Sequence, residues 1–179
     1  MDREEKALIS LAKSGDRRSF DKLIARHKDK MFALIYRMTG DRDEALDLLQ
    51  DTFLSAYKAL GRFREDASFS SWLYRIASNK SLNSIKRKKI LSFLPLGASP
   101  KDEPMYEMDD AAGRSELKQH AKKSIDDLPP QQKLVFNLRF YEQLRFSEIA
   151  KMLGKSESTV KTNYQKAVEK LQKKLKSFR

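Results

Sequence analysis

The 179-residue sequence contains no cysteine. A disulfide framework, a zinc–thiolate site and a cysteine nucleophile are therefore excluded. Glycine and proline are scarce, at 6 and 5 residues, which is too little punctuation for a turn-rich β fold. No apolar run approaches the roughly 18–20 residues needed to cross a bilayer. The start, Met1-Asp2-Arg3-Glu4-Glu5-Lys6, is too charged for the apolar segment of a signal peptide. A soluble, cytoplasmic chain with no membrane insertion is expected.

Acid is also in deficit. Thirty-seven Lys and Arg against 25 Asp and Glu give a formal net charge of +12. An excess of that size favours a polyanionic partner, and nucleic acid is the commonest one in a cell. The charge is segregated rather than interspersed. Residues 75–91 hold Arg75, Lys80, Lys86, Arg87, Lys88 and Lys89 with no acid, and residues 151–179 have a net charge of +7. Residues 41–51 have a net charge of −4, and residues 92–118 a net charge of −3. Two basic poles point to two nucleic-acid contacts and leave the acidic stretch for a different partner. Chance clustering on solvated faces is the competing reading.

Hydrophobic content of 40% beside 35% charged residues is that of a globular chain, and its spacing is helical. The pattern predicts helices over 2–13 and 17–39, the second stopped by Gly40. Asp41 with Glu44 three residues on resembles a capping box that opens a helix through about Leu60, ended by Gly61. Residues 62–68 read as a loop, and a further helix starts near Phe69 or Ser70 and leaves on the basic run at 86–89. Pro95, Gly97, Pro100 and Pro104 among acids mark a flexible linker. Helical spacing resumes near Ser115, and Leu128-Pro129-Pro130 opens another helix, with Pro130 at its first position. The expected fold is all-α: an N-terminal helical bundle over 1–91, a linker over 92–114 and a C-terminal helix-turn-helix domain over 115–179.

Three local patterns carry chemistry. In residues 146–166, Ile149, Ala150 and Leu153 face inward from a short helix starting near Ser147. Gly154 supplies a turn that needs positive φ, and Ser156 caps a second helix. That helix presents Lys161, Thr162, Gln165 and Lys166, side chains suited to a major groove. An ordinary helical hairpin is the bland alternative. On the helix at 42–60, Asp43, Asp47 and Asp51 fall at i, i+4 and i+8, a spacing local repulsion disfavours. Selection for a basic protein partner is one explanation, and a solvated face the other. Around 61–75, Arg62, Phe63, Arg64, Phe69, Trp72, Tyr74 and Arg75 interleave aromatics with cations. Single-stranded DNA binding uses such platforms, and a plain core uses the same aromatics.

Three stretches together resemble the extracytoplasmic-function sigma factors. Asp43 to Phe53 looks like their polymerase-binding helix, and Phe63 to Ala77 like their −10 promoter segment. Leu128-Pro129 and Glu148 to Leu171 look like their −35-binding domain. The resemblance implies that Asp43, Asp47, Gln50, Asp51 and Phe53 contact the clamp helices of the polymerase's largest subunit. It places Phe63, Arg64, Asp66, Ser68, Phe69 and Trp72 around a flipped −10 base, with Asn79, Asn83, Lys86 and Arg87 facing the −10 duplex. It places Ser158, Thr159, Lys161, Thr162, Gln165 and Lys166 on the −35 element. The implied partners are core RNA polymerase, including the flap of its second-largest subunit, and promoter DNA, with an anti-sigma factor as a candidate. The family usually has Arg where this chain has Ser78 and Asn163, Asp at Asn83, and often Arg at Lys166. A point-charge lysine replaces a bidentate fork there, so family base preferences do not transfer.

Two other classes compete. A free-standing helix-turn-helix regulator accounts for residues 120–179 and leaves the acidic stripe and the 61–75 loop idle. An enzyme would need a site, and His27 and His120 lie in separate segments with no nucleophile, metal cluster or glycine-rich phosphate loop beside them. No catalytic residue, metal, cofactor or small-molecule substrate is expected.

Overall fold

Side-chain caps set most of the helix starts. The computed structural model describes residues 2–64, 67–92 and 115–176. The Asp2 carboxylate accepts from the Glu5 amide and opens α1, Arg3–Lys13. Asp16 accepts from the amides of Arg18 and Ser19 and opens α2, Arg17–Thr39. Its carboxyl is held below the ordinary range chiefly by the Ser19 hydroxyl. Asp41 accepts from the Glu44 amide at 2.8 Å and opens α3, Arg42–Ala59. Each cap satisfies amide donors that the first helical turn leaves unpaired. Gly40, at φ 75°, ends α2 in the left-handed region that glycine reaches cheaply.

Helix α3 ends at Ala59, one residue short of the expected Leu60. Gly61 does not stop the helix in a left-handed turn. The chain tightens instead into a 3₁₀ turn, Leu60–Arg62, that drives Leu60 and Phe63 into the core. The fourth helix, α4, spans Phe69–Ser92, so it continues three residues past the basic run and takes in Ser92.

In this N-terminal unit α2 is the centre, packed against α1, α3 and α4. Leu23, Met31, Leu34 and Ile35 of α2 are fully buried, with Ile9 of α1 and Phe69 and Leu73 of α4. From α3 the wholly buried residues are small ones, Ala45, Thr52 and Ala56. Small side chains there let α3 lie close on α2 while its larger residues stay outside.

The C-terminal unit comprises α5 (Ser115–Asp126), α6 (Pro130–Phe140), α7 (Phe146–Leu153) and α8 (Glu157–Lys176). Pro130 takes the first helical position of α6, where a missing amide donor costs nothing. The first residue of α7 is Phe146, one earlier than the spacing predicts, because Glu148 reaches back to the Arg145 amide at 2.7 Å. Gly154 ends α7 at φ 63°, and Ser156 accepts from the Thr159 amide to start α8.

Six consecutive residues of α6, Lys133 to Leu138, are buried. A helix buried all round has neighbours on every side. One side of α6 meets α8, where Phe136 joins Ala167 and Leu171. Its other side meets α2 and α4, so the two units share an interface. That interface joins the apolar cores of the two units, with Leu134, Val135 and Leu138 of α6 and Ile149 of α7 in one cluster with the buried residues of α2 and α4, and adds polar contacts. Lys133, on α6, donates to the Met38 carbonyl at 3.2 Å, at the end of α2 where unpaired carbonyls and the helix dipole attract a cation. It also pairs with Asp126 at 2.7 Å. Asn137, one turn on, donates to the Met38 sulfur. Glu142, in the turn between α6 and α7, accepts from both Arg37 and Tyr74. The next residue, Gln143, has a left-handed φ of 54°.

Candidate nucleic-acid and protein interfaces

The acids of α3 divide into two kinds. Glu44 is only 15% exposed, pairs with Lys88 at 2.6 Å and accepts from the Ser84 hydroxyl. Asp51, 61% exposed, lies 3.7 Å from Lys80. Both tie α3 to α4. Asp43 and Asp47 are exposed and carry no ion pair among the described residues. Gln50 is exposed beside them, and Phe53 is half-buried against the core. Leu46 and Leu54 stand beside these acids at 46% and 51% exposure, and Tyr57 further along the helix is exposed as well. An outward face of unpaired acids and bare leucines fits a partner that is both basic and apolar. The two leucines could not be singled out in the sequence, since a periodicity test counts every leucine as core.

The loop before α4 is corrected by burial. Phe63 is 3% exposed and Phe69 is fully buried, with their rings 5.6 Å apart and edge-on. Trp72 is half-buried and lies against both, at 5.0 and 5.5 Å. In this arrangement the two phenylalanines are core and offer no free face to a base. Lys13 of α1 fixes the turn by donating to the Phe63 carbonyl at 2.8 Å, a contact no sequence pattern announces. Arg64 and Ser68 remain exposed, and Ser68 accepts from the Ser71 amide at the start of α4. Asp66 lies outside the described residues.

On α4, Asn79, Asn83, Lys86 and Arg87 are all exposed. Lys80 and Lys88 of the same helix are drawn toward α3 by the pairs above. Ser78, at 0% exposure, is buried with no hydrogen-bond partner for its hydroxyl within the protein.

On α8, Ser158, Thr159, Lys161, Thr162, Gln165 and Lys166 are exposed. Three of these have local work. The hydroxyls of Ser158 and Thr159 bond to Ser156 and complete the helix cap. Lys161 pairs with Glu157 at 2.7 Å across one turn, an exposed contact of little energetic weight. Thr162, Gln165 and Lys166 make the remaining outward row.

The histidines are accounted for as structure. His27 meets the Glu5 carboxylate at 2.8 Å with its ring 5.6 Å from Phe69, and His120 meets the Lys174 carbonyl at 3.3 Å. Among the described residues no cluster of His, Asp or Glu is arranged to hold a metal, and no helix is long and apolar enough to cross a membrane. The contacts between the units left no signal in the sequence either. Burial, then the Glu142 carboxylate, pushes the Tyr74 phenol well above its usual range. Lys122, whose ammonium lies 5.6 Å from the Tyr36 ring, is lowered mainly by burial.

The profile of sigma-70 region 2 matches residues 23–90, and that of sigma-70 region 4 matches residues 121–171. The chain is 32% identical to the ECF RNA polymerase sigma factor SigW of Bacillus subtilis, over 97% of each protein. It is 30% identical to the RNA polymerase sigma-H factor of Pseudomonas aeruginosa, over 96% of this chain and 94% of that one. Among solved structures, CnrH in complex with the cytosolic domain of CnrY aligns at a TM-score of 0.70 and 25% identity, covering 97% of this chain and 98% of that one.

Proposed function

The chain belongs to the extracytoplasmic-function sigma factors of the sigma-70 family, and from that premise we propose how its surfaces divide the work of initiation. The α3 face of Asp43, Asp47, Gln50, Leu46 and Leu54 docks on the clamp helices of core RNA polymerase. The α4 face of Asn79, Asn83, Lys86 and Arg87 meets the −10 element. Thr162, Gln165 and Lys166 of α8 meet the −35 element. The polymerase does the chemistry, and this chain supplies the address.

One observation carries the reading: the unpaired acids and bare leucines of α3 stand on a helix braced to basic α4 through Glu44–Lys88 and Asp51–Lys80. A free-standing DNA-binding regulator has no use for such a face. Docking α3 therefore fixes where α4 lies, and with it where promoter DNA must pass. Because Phe63 and Phe69 are core, capture of a melted −10 base falls to the exposed Arg64 and Ser68, with Trp72 at the edge.

The test is binding of purified protein to core polymerase, comparing the wild type with Asp47→Lys. Loss of binding with an unchanged helical signal supports the reading. Full binding by Asp47→Lys together with Asp43→Lys would refute it.

An anti-sigma factor is the second expected partner. CnrH is solved in complex with the cytosolic domain of CnrY, which is a property of that complex and a reason to seek an equivalent here.

A further inference from the structure

Helix α1 is bound to the rest of the N-terminal unit along a single line. Glu5, Ile9 and Lys13 fall at i, i+4 and i+8 and so share one face. Ile9 is fully buried. Glu5 meets His27 of α2 at 2.8 Å, and both side chains are only 12% exposed. Next to it, Glu4 pairs with Arg26 of α2 at 2.5 Å. These contacts fix where the far end of α1 lies, and at that end Lys13 reaches away from its own helix. A lysine in a last turn commonly serves the carbonyls of that turn. Lys13 instead donates to the carbonyl of Phe63, 50 residues later, at 2.8 Å. Its ammonium lies 5.4 Å from the centre of the Phe63 ring.

We propose that α1 is a brace for the turn before α4, with Lys13 and the Glu5–His27 pair as positioning residues for the capture of a melted −10 base. The proposal rests on Arg64 and Ser68 being the residues that meet that base.

The geometry gives α1 a hold on both sides of the turn. The carbonyl that Lys13 grips belongs to the peptide joining Phe63 to Arg64, so the contact fixes the backbone from which the Arg64 side chain projects. On the other side, the His27 ring lies 5.6 Å from Phe69, the residue after Ser68. Glu5 of α1 holds that ring in place. Phe63 and Phe69 then pack edge-on, and Trp72 lies against both. Arg64 and Ser68 are exposed, and each is joined in sequence to a phenylalanine that α1 anchors. A binding site needs its groups held to within about 0.5 Å, and exposed side chains on a turn acquire that from what lies behind them.

A core role alone does not account for Lys13. The apolar part of its contact with Phe63 is one that a methionine stem would supply as well. What the ammonium adds is a directed bond to one peptide group. The contact also lies outside the stretch matched by the region 2 profile, which begins at residue 23, after α1 has ended.

Trp72 is the chain's only tryptophan and rests on both phenylalanines, so its emission reports the state of the turn. Lys13→Met keeps the stem and removes the charge, whereas Lys13→Arg keeps a cationic donor. In the full chain, Lys13→Met should shift Trp72 emission with an unchanged helical signal, and Lys13→Arg should restore it. Glu5→Ala, which frees His27 on the other side, should give a shift of its own. For binding, short random single strands are partitioned on the holoenzyme, and the enriched strand becomes the probe. Lys13→Met should bind that strand about tenfold more weakly, the loss expected for one hydrogen bond from a charged donor. Lys13→Arg should recover most of it. Affinity for a random duplex should be the same in all three proteins, because α4 and α8 hold it.

Wild-type emission and wild-type single-strand affinity in Lys13→Met would overturn the brace. Equal losses on single strand and duplex would also overturn it, since they mark a folding defect. An emission shift with full single-strand affinity would confine α1 to folding and overturn its positioning role. Arg64→Ala separates this from a failure of base capture itself. If that variant binds the strand fully, or no strand is enriched, capture by the turn is wrong and the positioning role falls with it. Unshifted emission in both Lys13→Met and Glu5→Ala would overturn the brace whatever the strand does.

Discussion

The phenol of Tyr74 in α4 donates to the carboxylate of Glu142, 68 residues later in the chain, and the same carboxylate accepts from Arg37 of α2. This carboxylate bridges the two helical units, beside the contacts of Lys133 and Asn137 with Met38. Burial and the carboxylate together hold the phenol protonated well above its ordinary range. A raised folded-state value means the folded protein keeps a proton that the unfolded chain releases above about pH 10, so stability falls as pH rises through that point. The wild type should lose stability between about pH 10 and 11 more steeply than Tyr74→Phe, measured by urea unfolding. Parallel pH profiles for the two proteins would contradict this.

Phe69→Ala should destabilise the N-terminal unit by about 3–5 kcal/mol, because it empties a fully buried site packed by Phe63 and Trp72. Arg64→Ala, at an exposed position, should change stability by less than about 0.5 kcal/mol. Denaturant midpoints check both. A promoter defect in Phe69→Ala is then a folding defect first.

The core of the chain was legible in its helix punctuation and illegible where distant residues meet. Asp41 and Ser156 cap helices as their positions predict, and Gly40 and Gly154 stop helices because both sit where φ is positive. Gly61 looked the same in sequence, yet the chain there forms a 3₁₀ turn that needs no positive φ. Phe63 and Phe69 could not be assigned because cations interleaved with aromatics describe a stacking platform and the rim of a core equally well. Only burial separates the two. No sequence pattern marks Lys133, whose place on the Met38 carbonyl depends on a fold that brings together residues 95 apart. Glu142 and Arg37 share no periodicity at all.

Gly154→Ala should cost the C-terminal unit about 1–2 kcal/mol. Nothing lies within 4 Å of where the new methyl would stand, so the cost is the backbone's alone at φ 63°. Urea unfolding gives the number. Weaker −35 binding should follow, since the angle between α7 and α8 depends on that turn.

Lys166→Ala should reduce the slope of log affinity against log salt by about one for DNA bound by the holoenzyme. Lys161→Ala should reduce it by less, because Lys161 already shares its charge with Glu157 at 2.7 Å. Equal slopes for both variants and the wild type would remove α8 from the phosphate contacts.

The central claim is that this chain gives core RNA polymerase its promoter address. Its most direct test is to transcribe genomic DNA with core enzyme plus the purified protein, sequence the transcripts and align their start sites. The predicted result is a set of start sites absent with core alone, sharing one sequence near −10 and another near −35, and lost with Asp47→Lys. Start sites unchanged by adding the protein, or unaffected by reversing Asp43 and Asp47 together, would contradict it.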